Sequence, residues 1–226
     1  HGLGARVSVG YGYRIPNPTE LYGLALKPDG FVYRGNAELD TETNRNVEAS
    51  LTLDRTRLSA SATVFRTDLK GLITPVLAED EVIVGKPVRS YANLADSRLT
   101  GASGSFQWRP LQTLTLSGTA SYTHGEDLAT GRPLAAIPPL QGSLAARLHD
   151  DADRWIAVET LAAARQERVA SHAGEVETPG YGVFNLSAGF RIRGLETTLG
   201  VDNLLDRAYR AHLDPVRLLR PGRSFF

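Results

Sequence analysis

The sequence has 226 residues, and its 25 lysines and arginines balance its 25 aspartates and glutamates. This neutrality argues against a nucleic-acid partner, because such proteins carry a basic excess. The absence of cysteine excludes a disulfide scaffold and thiol catalysis, and no stretch approaches the ~18 consecutive apolar residues of a transmembrane helix. Because the sequence begins at His1 and contains no methionine, we expect it to be a piece of a longer chain.

Alternation of apolar and polar residues predicts β-strands along almost the whole chain. It is clearest at 113–123, where Leu114 and Leu116 alternate with Thr115 and Ser117. No segment keeps a clean helical period over three turns. In chain order, strands are predicted at 5–13, 46–53, 57–64, 104–108, 113–123, 140–148, 154–162, 184–190, 195–201 and after Pro221.

The predicted strands are typical of a membrane barrel rather than of a soluble sandwich. They run to roughly 9–12 residues, which is enough to cross a bilayer at a tilt, and their aromatic residues fall mainly at strand ends, as in interfacial girdles. The connections alternate between short and long, as periplasmic turns and extracellular loops do in outer-membrane barrels. The short connections are 54–56, 109–112, 149–153 and 193–194, and the long ones are 14–42, 69–95, 124–139, 163–180 and 205–216.

These features predict an all-β fold, an antiparallel meander that forms a transmembrane β-barrel of about ten strands. In such a barrel the apolar residues face lipid and the alternate residues face the lumen. We therefore expect one set of side chains outward, namely Leu114, Leu116 and Leu199, and the other set inward, namely Thr115, Ser117 and Thr198.

Four short motifs resemble those of a known family. The sequence reads GYRIP at 12–16 followed by ELYG at 20–23, GNAELDTE at 35–42, GVDNLLDRAY at 200–209 and PGR at 221–223. They resemble, in order and spacing, motifs in the barrels of TonB-dependent outer-membrane receptors. Ala37 and Thr41 stand where the second motif usually has proline. Together the motifs extend over the whole chain.

The resemblance implies that residues 1–226 are the C-terminal part of such a receptor. Members of this family are 22-stranded barrels filled by an N-terminal plug, so we expect a partial barrel, without the plug and the N-terminal strands, whose first and last strands remain unpaired edges. The implied function is uptake of a scarce nutrient across the outer membrane of a Gram-negative bacterium, most often as a ferric siderophore or other metal complex. The implied partners are outer-membrane lipid, the metal chelate and the TonB complex, which would act through the missing plug region.

Two other functions are compatible with the strand pattern. A passive, porin-like outer-membrane barrel would require the ten strands to close by themselves. A soluble β-sandwich binding module would bury the apolar faces between two sheets. The substrate stays open among ferric siderophores, copper, cobalamin and other nutrients.

Motifs of catalysis and cofactor binding are absent from the sequence, so we expect neither an enzyme nor a resident cofactor or metal. Asp150, Asp151 and Asp153 lack the glycine and the distal glutamate of a calcium loop, and we interpret them as a solvated turn.

Substrate contacts are expected in the long connections, because function concentrates in loops that a rigid scaffold presents. Aromatic side chains can stack on a planar chelate, and arginine or histidine can meet anionic or metal groups. Whether the three histidines of these connections converge stays open. The candidate residues are Tyr22, Tyr33, Tyr91, His124, Arg165, His172 and His212.

Overall fold

The computed structural model describes residues 2–150, 152, 154–192, 194–214 and 216–226, and the side chains of these except Ala95 and Ile192. Asp151 and Asp153, part of the expected turn, lie outside the described residues. No helix within the described part of the chain is long and apolar enough to cross a membrane. The elements are β1 (Gly2–Arg14), α1 (Pro18–Tyr22), β2 (Leu24–Leu26), β3 (Val32–Arg34), β4 (Glu42–Arg55), β5 (Leu58–Ile83), β6 (Lys86–Leu111), β7 (Leu114–Asp127), β8 (Gln141–His149), β9 (Trp155–Ala163), a 3-10 helix (Ser171–Ala173), β10 (Tyr181–Ile192), β11 (Leu195–Asp202) and β12 (Ser224–Phe225).

All described strands belong to one 12-stranded sheet, which confirms the predicted all-β fold. Its main path runs β1-β4-β5-β6-β7-β8-β9-β10-β11-β12, so ten strands of the described chain form the meander, the number predicted. Each pair along the path is antiparallel. The sheet is open, since β1 pairs only with β4 and β12 only with β11 in this path. β2 and β3 form a small hairpin beside it, and β3 pairs in parallel with β6.

The two faces of the sheet differ in polarity as the alternation predicts. On one face, hydroxyl groups bond across strands, with Thr119 2.9 Å from Ser143 and Ser61 2.8 Å from Ser105. The other face is apolar and exposed: Leu144 is 60% exposed. Because the described residues form one sheet, no second sheet covers this face. The observed arrangement is that of a barrel wall and excludes the soluble sandwich.

One glycine shows how closely the apolar face is filled. A Cβ atom at Gly118 would lie 2.6 Å from the ring of Phe106 and 2.7 Å from Leu144. Glycine is therefore required for the flanking side chains to pack across β7, which is a common use of glycine within a strand.

The turns at one end of the sheet are short, and the connections at the other end are long. Two residues join β4 to β5, at 56–57, and two join β6 to β7, at 112–113. Four connections at the opposite end are long, namely 15–41, 128–140, 164–180 and 203–223. We call these two ends the short-turn end and the long-connection end. In an antiparallel meander, successive connections lie at opposite ends of the strands, so connections that alternate in length are sorted to the two ends.

The prediction of a long loop at 69–95 is wrong, because this region continues the hairpin of β5 and β6. The two strands have 26 residues each, and they pair as far as Ile83 and Lys86, with one irregularity between Leu77 and Val82. Gly71 has a φ of 64°, and Pro75 interrupts the alternation of the sequence. The backbone ladder nevertheless continues past both residues, and so a β-hairpin extension projects at the long-connection end.

The hydrophobic core of the described chain lies beside this extension and not under the sheet. Tyr33, Ile73 and Tyr91 form a buried cluster against which Phe31 and Leu39 pack. The rings of Tyr33 and Tyr91 are 5.9 Å apart and tilted by 51°, within the range of favourable aromatic pairs. The β2–β3 hairpin is thereby fixed on the extension.

The polarity of the two faces predicts opposite effects for a charge placed at neighbouring positions of β8. Leu144→Lys places an ammonium on the apolar face and should lower the free energy of unfolding by about 2–4 kcal/mol in lipid. Ala145→Lys places it on the polar face, opposite Ser117 and Glu159, and should cost much less. Denaturant titration of the full receptor in liposomes measures both; equal costs would contradict the assignment of the faces.

Candidate functional site

The first two sequence motifs are bonded to each other at the long-connection end. Asn17 caps α1, and its backbone N–H donates to the Glu20 carboxylate, which forms a capping box. The guanidinium of Arg14 donates to Glu20 at 2.8 Å and to Glu42 at 3.0 Å. Glu42 also accepts the backbone N–H of Ile73 at 3.1 Å. These motif residues therefore anchor the 15–41 connection to β4 and β5.

The last two motifs form a second structural clamp. The Asn203 side chain is buried, accepts the N–H of Arg207 at 2.9 Å, and donates to the carbonyl groups of Arg207 and Pro221 at 2.9 and 3.3 Å. Its φ of 52° is one that asparagine tolerates better than most residues. Asp206 accepts the backbone N–H of Arg223 at 2.7 Å. The clamp turns the chain back toward β12.

A cavity of about 390 Å³ lies among the long connections. It is bounded by the turn before β3, the extension of β6, the chain that follows the 3-10 helix and the 203–223 connection. The side chains that define its chemistry are Asp29, Tyr33, Arg89, Glu175, His212 and Arg217.

Arg89, on the extension of β6, is a buried cation held by several partners. It donates from Nη1 to Asp29 at 3.0 Å and to the Tyr33 hydroxyl at 2.8 Å, and from Nη2 to the carbonyl of Ala173. Its guanidinium lies 3.8 Å from the ring centroid of Phe31. A buried charge is tolerated only when it is paired and hydrogen-bonded. Both terminal nitrogens of Arg89 meet this condition by joining three segments, while its Nε has no hydrogen-bond partner within the described chain.

Tyr33 is coupled to this cation. Its hydroxyl donates to Asp29 at 2.8 Å and accepts from Arg89. Burial raises the pKa of the Tyr33 hydroxyl, the bond to Asp29 raises it further, and Arg89 opposes the shift. The phenol is therefore held in its neutral form.

Glu175 is the second partly buried charge of the cavity. One carboxylate oxygen accepts the N–H of Ala136 at 2.9 Å, and the other accepts the N–H of Ala170 at 2.8 Å. The imidazole Nε2 of His212 lies 3.3 Å from Glu175, and its Nδ1 lies 2.9 Å from the Thr178 hydroxyl. Glu175 thus connects three of the long connections.

The three tyrosines among the candidate residues have different surroundings. Tyr22, at the end of α1, is 74% exposed. Tyr33 and Tyr91 lie within β3 and β6 rather than in loops, and each is 8% exposed. Lys27 Nζ lies 3.9 Å from the centre of the Tyr33 ring and donates to the Tyr91 hydroxyl at 3.1 Å. The two buried tyrosines therefore stabilise the β2–β3 hairpin.

The three candidate histidines also differ. His124 lies within β7, not in a loop, contacts the guanidinium of Arg168 and lies 3.6 Å from Glu126. His172 is exposed on the 3-10 helix, whereas the side chain of His212 is 2% exposed. Among the residues that the structure describes, no group of three or more His, Asp or Glu side chains could hold a metal ion. The three histidines are therefore not part of such a group in the described chain.

Arg165 is exposed and pairs with Glu177 at 2.6 Å and Glu167 at 3.3 Å.

Sequence reasoning missed the buried charges Arg89 and Glu175. Nothing in the local pattern distinguishes either of them from a solvated charge, because their burial depends on segments that are distant in sequence.

A larger pocket of about 620 Å³ lies on the polar face at the short-turn end. There the guanidinium of Arg147 lies 4.1 Å from the ring centroid of Trp155, and Arg191 pairs with Glu196. These groups are spaced along the barrel wall. The buried, convergent charges are at the long-connection end, which is therefore the candidate recognition site.

Tyr33→Phe tests the coupled charges of the site. Loss of the hydroxyl leaves Asp29 and Arg89 with one partner fewer, so we expect a cost of about 1–3 kcal/mol at neutral pH. The pKa of Tyr33 is raised in the folded protein. The contribution of its hydroxyl to the free energy of unfolding is therefore complete below the unfolded pKa of about 10, and it is lost as the pH rises through the folded pKa.

The free energy of unfolding against pH should therefore decline less steeply at alkaline pH in Tyr33→Phe than in the parent chain. The control is Tyr22→Phe, at an exposed position, which should leave the alkaline decline unchanged. Identical alkaline profiles for Tyr33→Phe and the parent would contradict the coupling.

Comparison with known proteins places this architecture in a family. The chain matches the TonB dependent receptor-like β-barrel family over residues 1–204. No curated protein matches the sequence. The solved structure of the copper transporter OprC superposes with a TM-score of 0.85 at 22% identity and covers 99% of this chain.

Two receptor structures have the same fold. A mutant of the ferric enterobactin receptor PfeA from Pseudomonas aeruginosa gives a TM-score of 0.74 at 20% identity, and the siderophore receptor PirA from Acinetobacter baumannii gives 0.72 at 18% identity; each covers 99% of this chain. The present chain spans 36% of OprC, 37% of PfeA and 38% of PirA. These likenesses show the fold, and the family match confirms the resemblance of the motifs: the chain belongs to the TonB-dependent receptor-like β-barrel family.

Proposed function

We propose that this chain is the C-terminal part of the barrel of an outer-membrane receptor. The receptor takes up a scarce nutrient, namely a ferric siderophore or another metal complex. The family is one of receptors and transporters, which supports transport rather than catalysis. It also favours an energy-coupled receptor over a passive porin. A plug and further strands, elsewhere in the receptor chain, would complete the barrel and provide the contact with TonB.

One observation supports this function above the others: the long connections all lie at one end and enclose a cavity with buried charges. Outer-membrane barrels place their long loops outside the cell, so the cavity would face an incoming ligand. The exposed apolar face of the sheet would contact outer-membrane lipid. This orientation places the short turns in the periplasm of a Gram-negative cell.

The candidate residues then divide into two groups by exposure. Tyr33, Tyr91 and His212 are buried, so their role in recognition would be structural: Tyr33 and His212 line the cavity, and Tyr91 supports the β2–β3 hairpin. The accessible residues do not line the cavity and would contact a ligand beside it: aromatic rings can stack on a chelate, and arginine and histidine can meet its anionic or metal groups. The accessible candidates are Tyr22, His124, Arg165 and His172.

Alanine substitution in the full-length receptor tests this assignment. Tyr22→Ala, His124→Ala, Arg165→Ala and His172→Ala should each weaken binding of the transported complex, by about fivefold or more where the residue contacts it. Binding is measured by fluorescence titration with a panel of ferric siderophores and Cu²⁺. The amount of receptor in the outer membrane, measured in parallel, should be unchanged.

The control is His149→Ala, because His149 ends β8 at the short-turn end. It should leave binding at the parent level. If His149→Ala abolished uptake while the four substitutions at the long-connection end had no effect, the orientation of the barrel would be inverted and the proposal wrong.

A further inference from the structure

Residues 170–175, which include the 3-10 helix, bond to several other segments at the long-connection end. We call them the hub. Ala170 is completely buried and Ala173 is 7% exposed. The hub lies within the 164–180 connection, and three hydrogen bonds join it to other segments of the long-connection end.

Two arginines reach the hub from different segments. Arg89 donates from the β6 extension to the carbonyl of Ala173, and Arg217 donates from the 203–223 connection to the carbonyl of Gly174 at 2.9 Å. Gly174 has a φ of 73°, and a Cβ there would lie 2.8 Å from Nη2 of Arg89. Only glycine combines this backbone conformation with so close an approach of the guanidinium.

Glu175 extends the hub to the remaining connection. Its carboxylate accepts the N–H of Ala136, which belongs to the 128–140 connection, and also contacts His212 in the 203–223 connection. Arg89 in turn bonds Asp29 and Tyr33 of the 15–41 connection. The β5–β6 extension and the four other long connections are therefore linked through six consecutive residues.

We propose that the hub joins these segments into one cooperative unit, which opens and closes as a whole, with Glu175 and Arg89 as its positioning residues. The physical reason is that each of these two charged side chains bonds to several segments at once. When one partner leaves, the others are left with buried groups that lack a hydrogen bond, which is costly. Segments coupled in this way open in a single step rather than independently.

The inference deepens the proposed function, on which its biological meaning rests, because the unit frames the recognition cavity. A ligand bound to any one connection would slow the opening of all of them, since binding that restricts one part of a cooperative unit restricts the rest. Recognition would then depend on residues that never touch the ligand.

Hydrogen–deuterium exchange of the full receptor in detergent, without ligand, tests the proposal. Glu175→Ala removes the acceptor shared by Ala136 and Ala170 and the carboxylate that lies 3.3 Å from Nε2 of His212. We expect exchange to accelerate by about tenfold or more, the effect of losing charge-assisted bonds, in three separate segments: 128–140, 164–180 and 203–216. Amides of β8 and β9 should keep the parent rate, which shows that the barrel is folded.

Glu177→Ala is the matched control, two residues away in the same connection, where the carboxylate pairs with Arg165 at the surface. It should accelerate exchange within 164–180 at most. Gly174→Ala, which displaces Arg89, should extend the acceleration to 24–34. Acceleration confined to 164–180 in Glu175→Ala would overturn the proposal. The exchange measurement needs no ligand. A failure of the proposed transport function, seen as absent binding of ferric siderophores and Cu²⁺, is therefore distinguishable from a failure of the cooperative unit.

Discussion

Backbone hydrogen bonding across a sheet of one layer is the constraint on which the rest of this structure depends. Because no second layer of the described chain covers the apolar face, the sheet suits a medium that contains no water on that side. In such a medium every backbone N–H and C=O must be paired within the protein. The antiparallel ladder from β1 to β12 and the two-residue turns follow from this requirement.

The same ladder also builds the candidate site. Strands β5 and β6 continue to pair well past their neighbours, and the extension provides a rigid surface at the long-connection end. The β2–β3 hairpin packs on it through Tyr33 and Tyr91, and Arg89 projects from it toward the 164–180 connection. The connections are thus held around a cavity by contacts within the protein.

The motifs that identify the family have structural roles. Arg14, Glu20 and Glu42 anchor the first connection, and Asn203 closes the last one. None of the motifs contains Arg89 or Glu175, the charges that organise the cavity. Motif similarity consequently indicates the barrel and its closures, and it carries no information about the charges that organise the cavity.

Sequence alone determined the strand order, the two faces and the side on which the long connections lie. These properties follow from local alternation, because a strand of a single-layer sheet must place every second side chain on the same face. The extension at 69–95 was missed because Gly71 and Pro75 interrupt that alternation, whereas the backbone bonds to β6 continue past both residues.

Only the tertiary structure decided the surroundings of the candidate residues. Tyr33 and Tyr91 are buried and Tyr22 is exposed, although the sequence pattern predicts long loops for all three. Likewise, His212 is enclosed by Thr178 and Glu175 while His172 is exposed. Burial in these connections depends on contacts between segments far apart in the chain, so no local pattern in the sequence encodes it.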